Sequence, residues 1–235
     1  MSSVDDRIYT RVLSLGRRRF PDMEIKFKEE SKFHRFVGER LAFWLWSDDE
    51  NGDRVHRYLT TYTSVIGKTI WFPTRAYIES SSAWVILAHE LVHMRDRDRI
   101  PFHLFDLGYI VPQIFAMIAL GALGAFWYLP MLWCLLALLF LLPLPSPVRA
   151  WAEFRGYTMS MAARYWRRGS IDWAYMRFVE RKFTGPDYLF MWPFKGLVRR
   201  RLEKERLRIE SGGILEDPLF KDVQGIVLEE MSESN

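Results

Sequence analysis

Ala88-His89-Glu90-Leu91-Val92-His93-Met94 sets two histidines four residues apart, with a glutamate directly after the first. On an α-helix, side chains at i and i+4 lie one above the other on the same face, so both imidazoles can reach one cation. The expected ion is Zn2+, which accepts imidazole nitrogens and lowers the pKa of a bound water toward neutrality. Glu90 then has the role of general base, taking the proton as that water attacks a carbonyl. A helix is expected here on other grounds as well. Ser80-Ser81-Ser82 offers hydroxyl caps, and the run from Ala83 to Arg95 is strongly apolar and follows a predicted strand.

A tetrahedral hydrolytic zinc needs a third protein ligand and an open fourth position. Arg99 stands where the motif H-E-x-x-H-x-x-G-x-x-H would carry a third histidine, so that extended pattern is excluded. Glu153, His103 and Asp106 remain as candidates. Glu153 lies far beyond His93 in the sequence, but between them runs a long stretch, from Leu107 to Leu144, without one Asp, Glu, Lys or Arg. One helix needs about 20 apolar residues to cross a bilayer, so the stretch is long enough for two passes. Pro130, in Tyr128-Leu129-Pro130-Met131, breaks it near the middle, and Trp127 and Tyr128 suit a headgroup boundary. The expectation is a transmembrane helical hairpin, with Gly121 and Ala125 allowing close approach of its arms. Because the second arm is short, a monotopic hairpin that dips in without crossing is the alternative. Either form returns the chain to its starting side and leaves only a short length of ordinary chain between His93 and Glu153. That is enough for one helix to end and a second to come back against it. Arginines at 95, 97, 99, 149, 155, 164, 167 and 168 flank the hairpin and none sits in its turn, which predicts that both flanks face the cytoplasm.

His89-Glu90-Leu91-Val92-His93, a membrane hairpin, and then Glu153-Phe154-Arg155-Gly156-Tyr157 on the next helix together resemble the layout of the membrane gluzincin metallopeptidases, the group that includes HtpX and the CAAX prenyl protease. The resemblance covers about residues 60–166. It implies a zinc-dependent peptidase in which His89, His93 and Glu153 are the metal ligands and Glu90 is the base. It also implies that the strand at Thr69-Ile70-Trp71-Phe72 is an edge strand on which an extended peptide substrate is laid. Those families place an aspartate four residues after the third ligand. This chain has Tyr157 there, whose hydroxyl could bond a ligand or the reaction's oxyanion. A membrane-anchored scaffold with a non-catalytic version of the same domain is the competing expectation.

The rest of the chain is read more coarsely. A helix is predicted from Val4 to Arg18, a strand at Met23 to Phe27 and a helix from Lys32 to Trp46. A polar loop follows at Asp48 to Asp53, then one or two strands between Thr60 and Phe72 with a turn at Gly67-Lys68, and a helix begins at Ser146-Pro147 and runs to Trp166. The fold class expected is α+β: a mostly helical zincin-like domain with a small sheet and an inserted hairpin. Its parts are 1–106 with the histidine helix, 107–148 as the hairpin, 149–208 as the third-ligand and basic helical region, and 209–235 as an acidic tail. A single cysteine, Cys134, excludes an intramolecular disulfide framework. The cluster Arg199-Arg200-Arg201 with Lys204, Arg206 and Arg208 is read either as attraction to anionic membrane lipid or as a solvated helix face, with no nucleic-acid partner expected. The aromatic run from Tyr188 to Phe194 fits core packing best, and His34 and His56 have no sequence partners.

Overall fold

The structure is a computed structural model that describes residues 3–38, 46–48, 54–100, 123, 128–141, 146–185 and 191–234. The chain opens with helix α1 (Val4–Arg19), whose start is closed by a capping box. Ser3 Oγ accepts from the Asp6 N–H at 3.1 Å, and Asp6 returns a carboxylate oxygen to the Ser3 N–H at 2.9 Å. Acidic residues in the first turn and Arg17, Arg18 and Arg19 in the last match the helix dipole. Strand β1 (Glu24–Phe27) follows, then a short helix α2 (Lys32–Phe36). Of the helix expected from Lys32 to Trp46, residues 39–45 lie outside the described residues and Trp46 itself belongs to strand β2 (Trp46–Asp48), antiparallel to β3 (Arg54–His56). Strand β2 also takes Asp48 from the loop predicted at Asp48 to Asp53, whose remainder, 49–53, lies outside the described residues.

After a helical turn, α3 (Arg57–Thr60), strands β4 (Ser64–Ile66) and β5 (Thr69–Phe72) form a hairpin. Gly67 turns it at φ 61°, a conformation that only a residue without Cβ adopts at little cost. The predicted turn is therefore present, but the sheet order β1-β5-β4 corrects the expected role of β5. That strand is the centre of the sheet, parallel to β1 with Glu24 opposite Thr69 and Phe27 opposite Phe72, and antiparallel to β4. Both of its hydrogen-bonding edges are taken, so no peptide can add to it. Its fully buried Ile70 and Phe72 point into the core.

Two long helices carry the centre of the molecule: α4 (Ala83–Arg99) and α5 (Pro147–Arg168), packed on one another along much of their length. Ser82 caps α4 through its backbone alone, and the Ser80 hydroxyl is spent on the Tyr77 carbonyl at 2.8 Å. Pro147 stands in the first turn of α5, and Gly169 ends it at φ 76°. Helices α6 (Trp173–Thr184), α7 (Lys195–Glu210) and α8 (Pro218–Ser232) complete the domain. Helix α7 packs on α5, and α8 packs on both α1 and α5. The acidic C-terminal segment is thus mostly helix: it buries Leu219, Phe220, Val223, Ile226 and Val227, and Glu230 accepts from Arg7 at 2.7 Å and Arg11 at 3.1 Å.

The observed class is mostly helical with a small sheet, as expected. Among the described residues no helix is long and apolar enough to cross a membrane. The first arm of the expected hairpin, 107–127, lies outside the described residues apart from Leu123. In the second, Leu129–Leu141 is a 3-10 helix in place of the expected α-helix. With three residues per turn, i and i+3 eclipse and form three ridges. Met131 and Cys134 share the half-buried ridge, while Leu129, Leu132, Trp133, Leu135 and Leu136 are exposed on the other two.

Candidate metal centre

His89 and His93 stand one turn apart on α4, on the side turned to α5. Their Nε2 atoms face each other at 3.0 Å, and the rings meet nearly edge to face with centroids 4.8 Å apart. From α5, Glu153 places Oε2 3.9 Å from His89 Nε2. One ligand atom from each of the three lies within 4.8 Å of the others, and among the described residues no other set of His, Cys, Asp or Glu side chains is gathered in this way. Two nitrogens on a tetrahedral zinc stand about 3.3 Å apart, so the observed spacing needs only small side-chain adjustment to surround an ion. His103 and Asp106, the other candidates for third ligand, lie outside the described residues.

Why the helices approach this closely is visible at Gly156. A Cβ there would fall 2.7 Å from Cδ2 and Cε1 of His89, inside van der Waals contact. The missing side chain makes a cradle for the imidazole. Ser160, one turn further, puts Oγ 3.0 Å from His89 Nδ1, leaving Nε2 to point at Glu153. A hydroxyl can donate or accept, so this contact holds the orientation of the ring and suits a tautomer in which Nε2 carries the free lone pair. Ser160 is itself linked to the Tyr175 hydroxyl on α6. Residues 153, 156 and 160 follow helical spacing on α5, so carboxylate, cradle and orienting hydroxyl form one stripe.

Electrostatics favour a cation in the cluster. Burial pushes the pKa of His89 well down, aided by its neighbour His93, and burial also lowers His93. Both imidazoles are thereby held neutral, which is the form that ligates. Glu90 is buried, and its pKa is pushed up to about 8 by desolvation and by the nearby Glu153, with Lys28 opposing. A positive charge among these groups would relieve the repulsion between the two carboxylates.

Tyr157, the expected hydroxyl donor, is also buried, its ring edge-on to His89 at 5.0 Å and against Phe183 at 5.8 Å. Its ring therefore walls the His89 side of the cluster. A further charge, Lys28, acts on Glu90. Fully buried at the end of β1, it donates Nζ to the carbonyls of Tyr58 at 3.1 Å and Tyr62 at 2.7 Å and covers the Tyr58 ring at 3.9 Å. Desolvation pushes its pKa down to about 7. Its partners come from a segment distant in the chain, so no local spacing marks it.

An ion network locks the two ligand helices one turn below the histidines. Arg155 Nε donates to Asp96 Oδ2 at 2.6 Å, and Arg95 donates to Asp96 and to Asp217, the N-cap of α8. Asp96 and Arg95 are buried, while Arg155 and Asp217 reach partly into solvent. Comparisons of the chain with protein-family models, with curated proteins and with solved structures found no match in any of the three.

Proposed function

We propose that the chain is a zinc-dependent metallopeptidase held at a membrane by its uncharged segment, with the hydrolytic centre on the cytoplasmic side and a peptide or protein as substrate. The observation that carries the reading is the meeting of His89, His93 and Glu153, three ligand-type side chains brought within 4.8 Å from two helices that the whole uncharged stretch separates in sequence. Bound there, zinc would polarise a substrate carbonyl and acidify a water. The chain's own groups have separable tasks. His89, held by Ser160, and His93 present neutral nitrogens, Glu153 supplies negative charge to the site, and Glu90 accepts the proton of the attacking water and can return it to the leaving amine. Gly156 and Tyr157 shape and dry the wall behind His89. Membrane attachment is supported by the length of the stretch from Leu107 to Leu144 and by the arginines on either side of it.

Metal content and hydrolysis test the reading together. Purified chain should carry one zinc, Glu153→Ala should lose it, and Glu90→Gln should keep it while losing peptide hydrolysis by about 10²-fold or more. Hydrolysis that survives Glu90→Gln, or wild-type protein without stoichiometric metal, would overturn the proposal.

A further inference from the structure

The uncharged stretch extends in sequence through Val148, and the next residue, Arg149, is charged. At Ser146, immediately before α5, the backbone N–H donates to the Met191 carbonyl at 2.9 Å. Met191 lies four residues before the start of α7, and α5 and α7 then run side by side. Both helices therefore begin at the end of the domain where the uncharged stretch re-enters it. That end is unusually apolar for a surface. The first turn of α5 exposes Val148 at 37% and Trp151 at 41%, and the start of α7 exposes Phe194 at 48% and Leu197 at 51%.

Helix α7 continues this face with positive charge. Val198, Leu202, Glu205 and Ile209 are its buried side. On the opposite side Leu197, Arg200, Lys204 and Leu207 follow at intervals of three and four, all exposed, and no carboxylate falls in that stripe. The acidic residues of the helix, Glu203, Glu205 and Glu210, are engaged by Arg201, Arg206 and Arg208 on its other sides. Apolar and aromatic side chains, with Arg200 and Lys204 beside them in no ion pair among the described residues, match a bilayer interface whose headgroups are anionic.

We infer that the first turns of α5 and α7 form a docking surface for an anionic lipid bilayer, seating the domain on the membrane that the uncharged segment enters. The inference rests on the membrane attachment proposed above and adds the orientation of the catalytic domain. Glu153 lies six residues along α5 from Pro147, so its level is at most about 9 Å from that end of the helix. The site then works within one headgroup layer of the lipid, and its substrate class is the juxtamembrane segment of a membrane-bound polypeptide.

Spin labels in the full chain test this, with Cys134→Ser as background. One label is placed by Leu197→Cys and a control by Leu228→Cys, an equally exposed position on α8. In bilayers containing phosphatidylserine, the label at 197 should be several-fold less accessible to an aqueous nickel chelate than the label at 228, and more accessible to oxygen. Adding Arg200→Glu with Lys204→Glu should return it toward the control. Equal nickel access at both positions in protein that is embedded in the bilayer overturns the docking surface and leaves the anchor standing. Low access to both reagents at 197 means that protein covers the site, and also overturns it. Failure of the chain to join the bilayer at all overturns the anchor and the docking surface together.

Discussion

Gly156 shows how much a single residue decides in this molecule. Alanine is better than glycine inside a helix by about 1 kcal/mol, so propensity alone favours Gly156→Ala. The added carbon would however occupy the space of the His89 ring and force it off its line to Glu153. The expected outcome is a folded protein whose zinc affinity has fallen at least about tenfold, read by metal titration beside a circular dichroism spectrum. His34 carries a different prediction. It is fully buried, its Nδ1 lies 2.7 Å from the Tyr58 hydroxyl, and its Nε2 has no hydrogen-bond partner among the described residues. Desolvation, with the charge of Lys28, pushes its pKa down to about 4. An unfolded histidine titrates near 6.5, so between those values the unfolded chain binds the extra proton. The stabilising contribution is complete above about pH 6.5, falls as pH drops through the window to 4, and is constant below it. The loss should be roughly 3 kcal/mol by denaturant unfolding, and His34→Gln should flatten that part of the profile. Neither residue is legible before the structure is known. Gly156 and His34 acquire their meaning from rings that arrive from other elements, whereas His89, Glu90 and His93 are legible because their relation is local to one helix.

At the scale of elements, the pairing of α4 with α5 is the construction on which the site depends. The helix beginning at Ser146-Pro147 could be read from its proline and its apolar spacing, and Glu153 could be brought near His93 by setting aside the uncharged stretch between them. What could not be read is the lock. Asp96 and Arg155 look like ordinary charges on solvated faces, yet in the structure they pair at 2.6 Å, with Asp96 buried beneath Arg95. Removing one partner of a buried ion pair leaves the other without compensation, at a cost of about 3 kcal/mol. Asp96→Ala should therefore lower the unfolding free energy by about that amount in a denaturant titration, and Arg155→Met by less because Arg95 still pairs with the Asp96 carboxylate that the change leaves behind. The misplacement of β5 has a related cause. Alternation in Thr69-Ile70-Trp71-Phe72 identifies a half-buried strand, but the two sides of a strand's backbone are equivalent in sequence, and only the arrival of β1 in parallel makes β5 central.

For the whole molecule, the C-terminal segment packs against the helix that carries Glu153. Its composition, with one lysine against seven acidic residues from Ile209 onward, describes charge and hides the apolar spacing of Leu219, Phe220, Val223, Ile226 and Val227. In the structure these side chains close the core against α1 and α5, and the acidic residues answer a row of arginines on α1: Arg11 bonds Glu229, Arg7 and Arg11 bond Glu230, and Arg19 bonds Asp222 at 2.6 Å. The arginines of these pairs are each about a third exposed to water, which screens them, so the apolar side chains supply most of the attachment. Five large buried side chains at about 2 kcal/mol each amount to roughly 10 kcal/mol, which is comparable to the entire stability of a domain this size. Ending the chain after Asp217 should thus do more than remove a surface appendage. The arginines of α1 lose their partners, α5 loses a packing neighbour, and the stripe of Glu153, Gly156 and Ser160 is no longer held against α4. The truncated chain should be degraded by limited proteolysis at concentrations that leave the full chain intact, and it should bind no stoichiometric zinc. A protease-resistant, metal-binding fragment would instead show that α8 is a detachable element and that α4 with α5 can hold the site unaided.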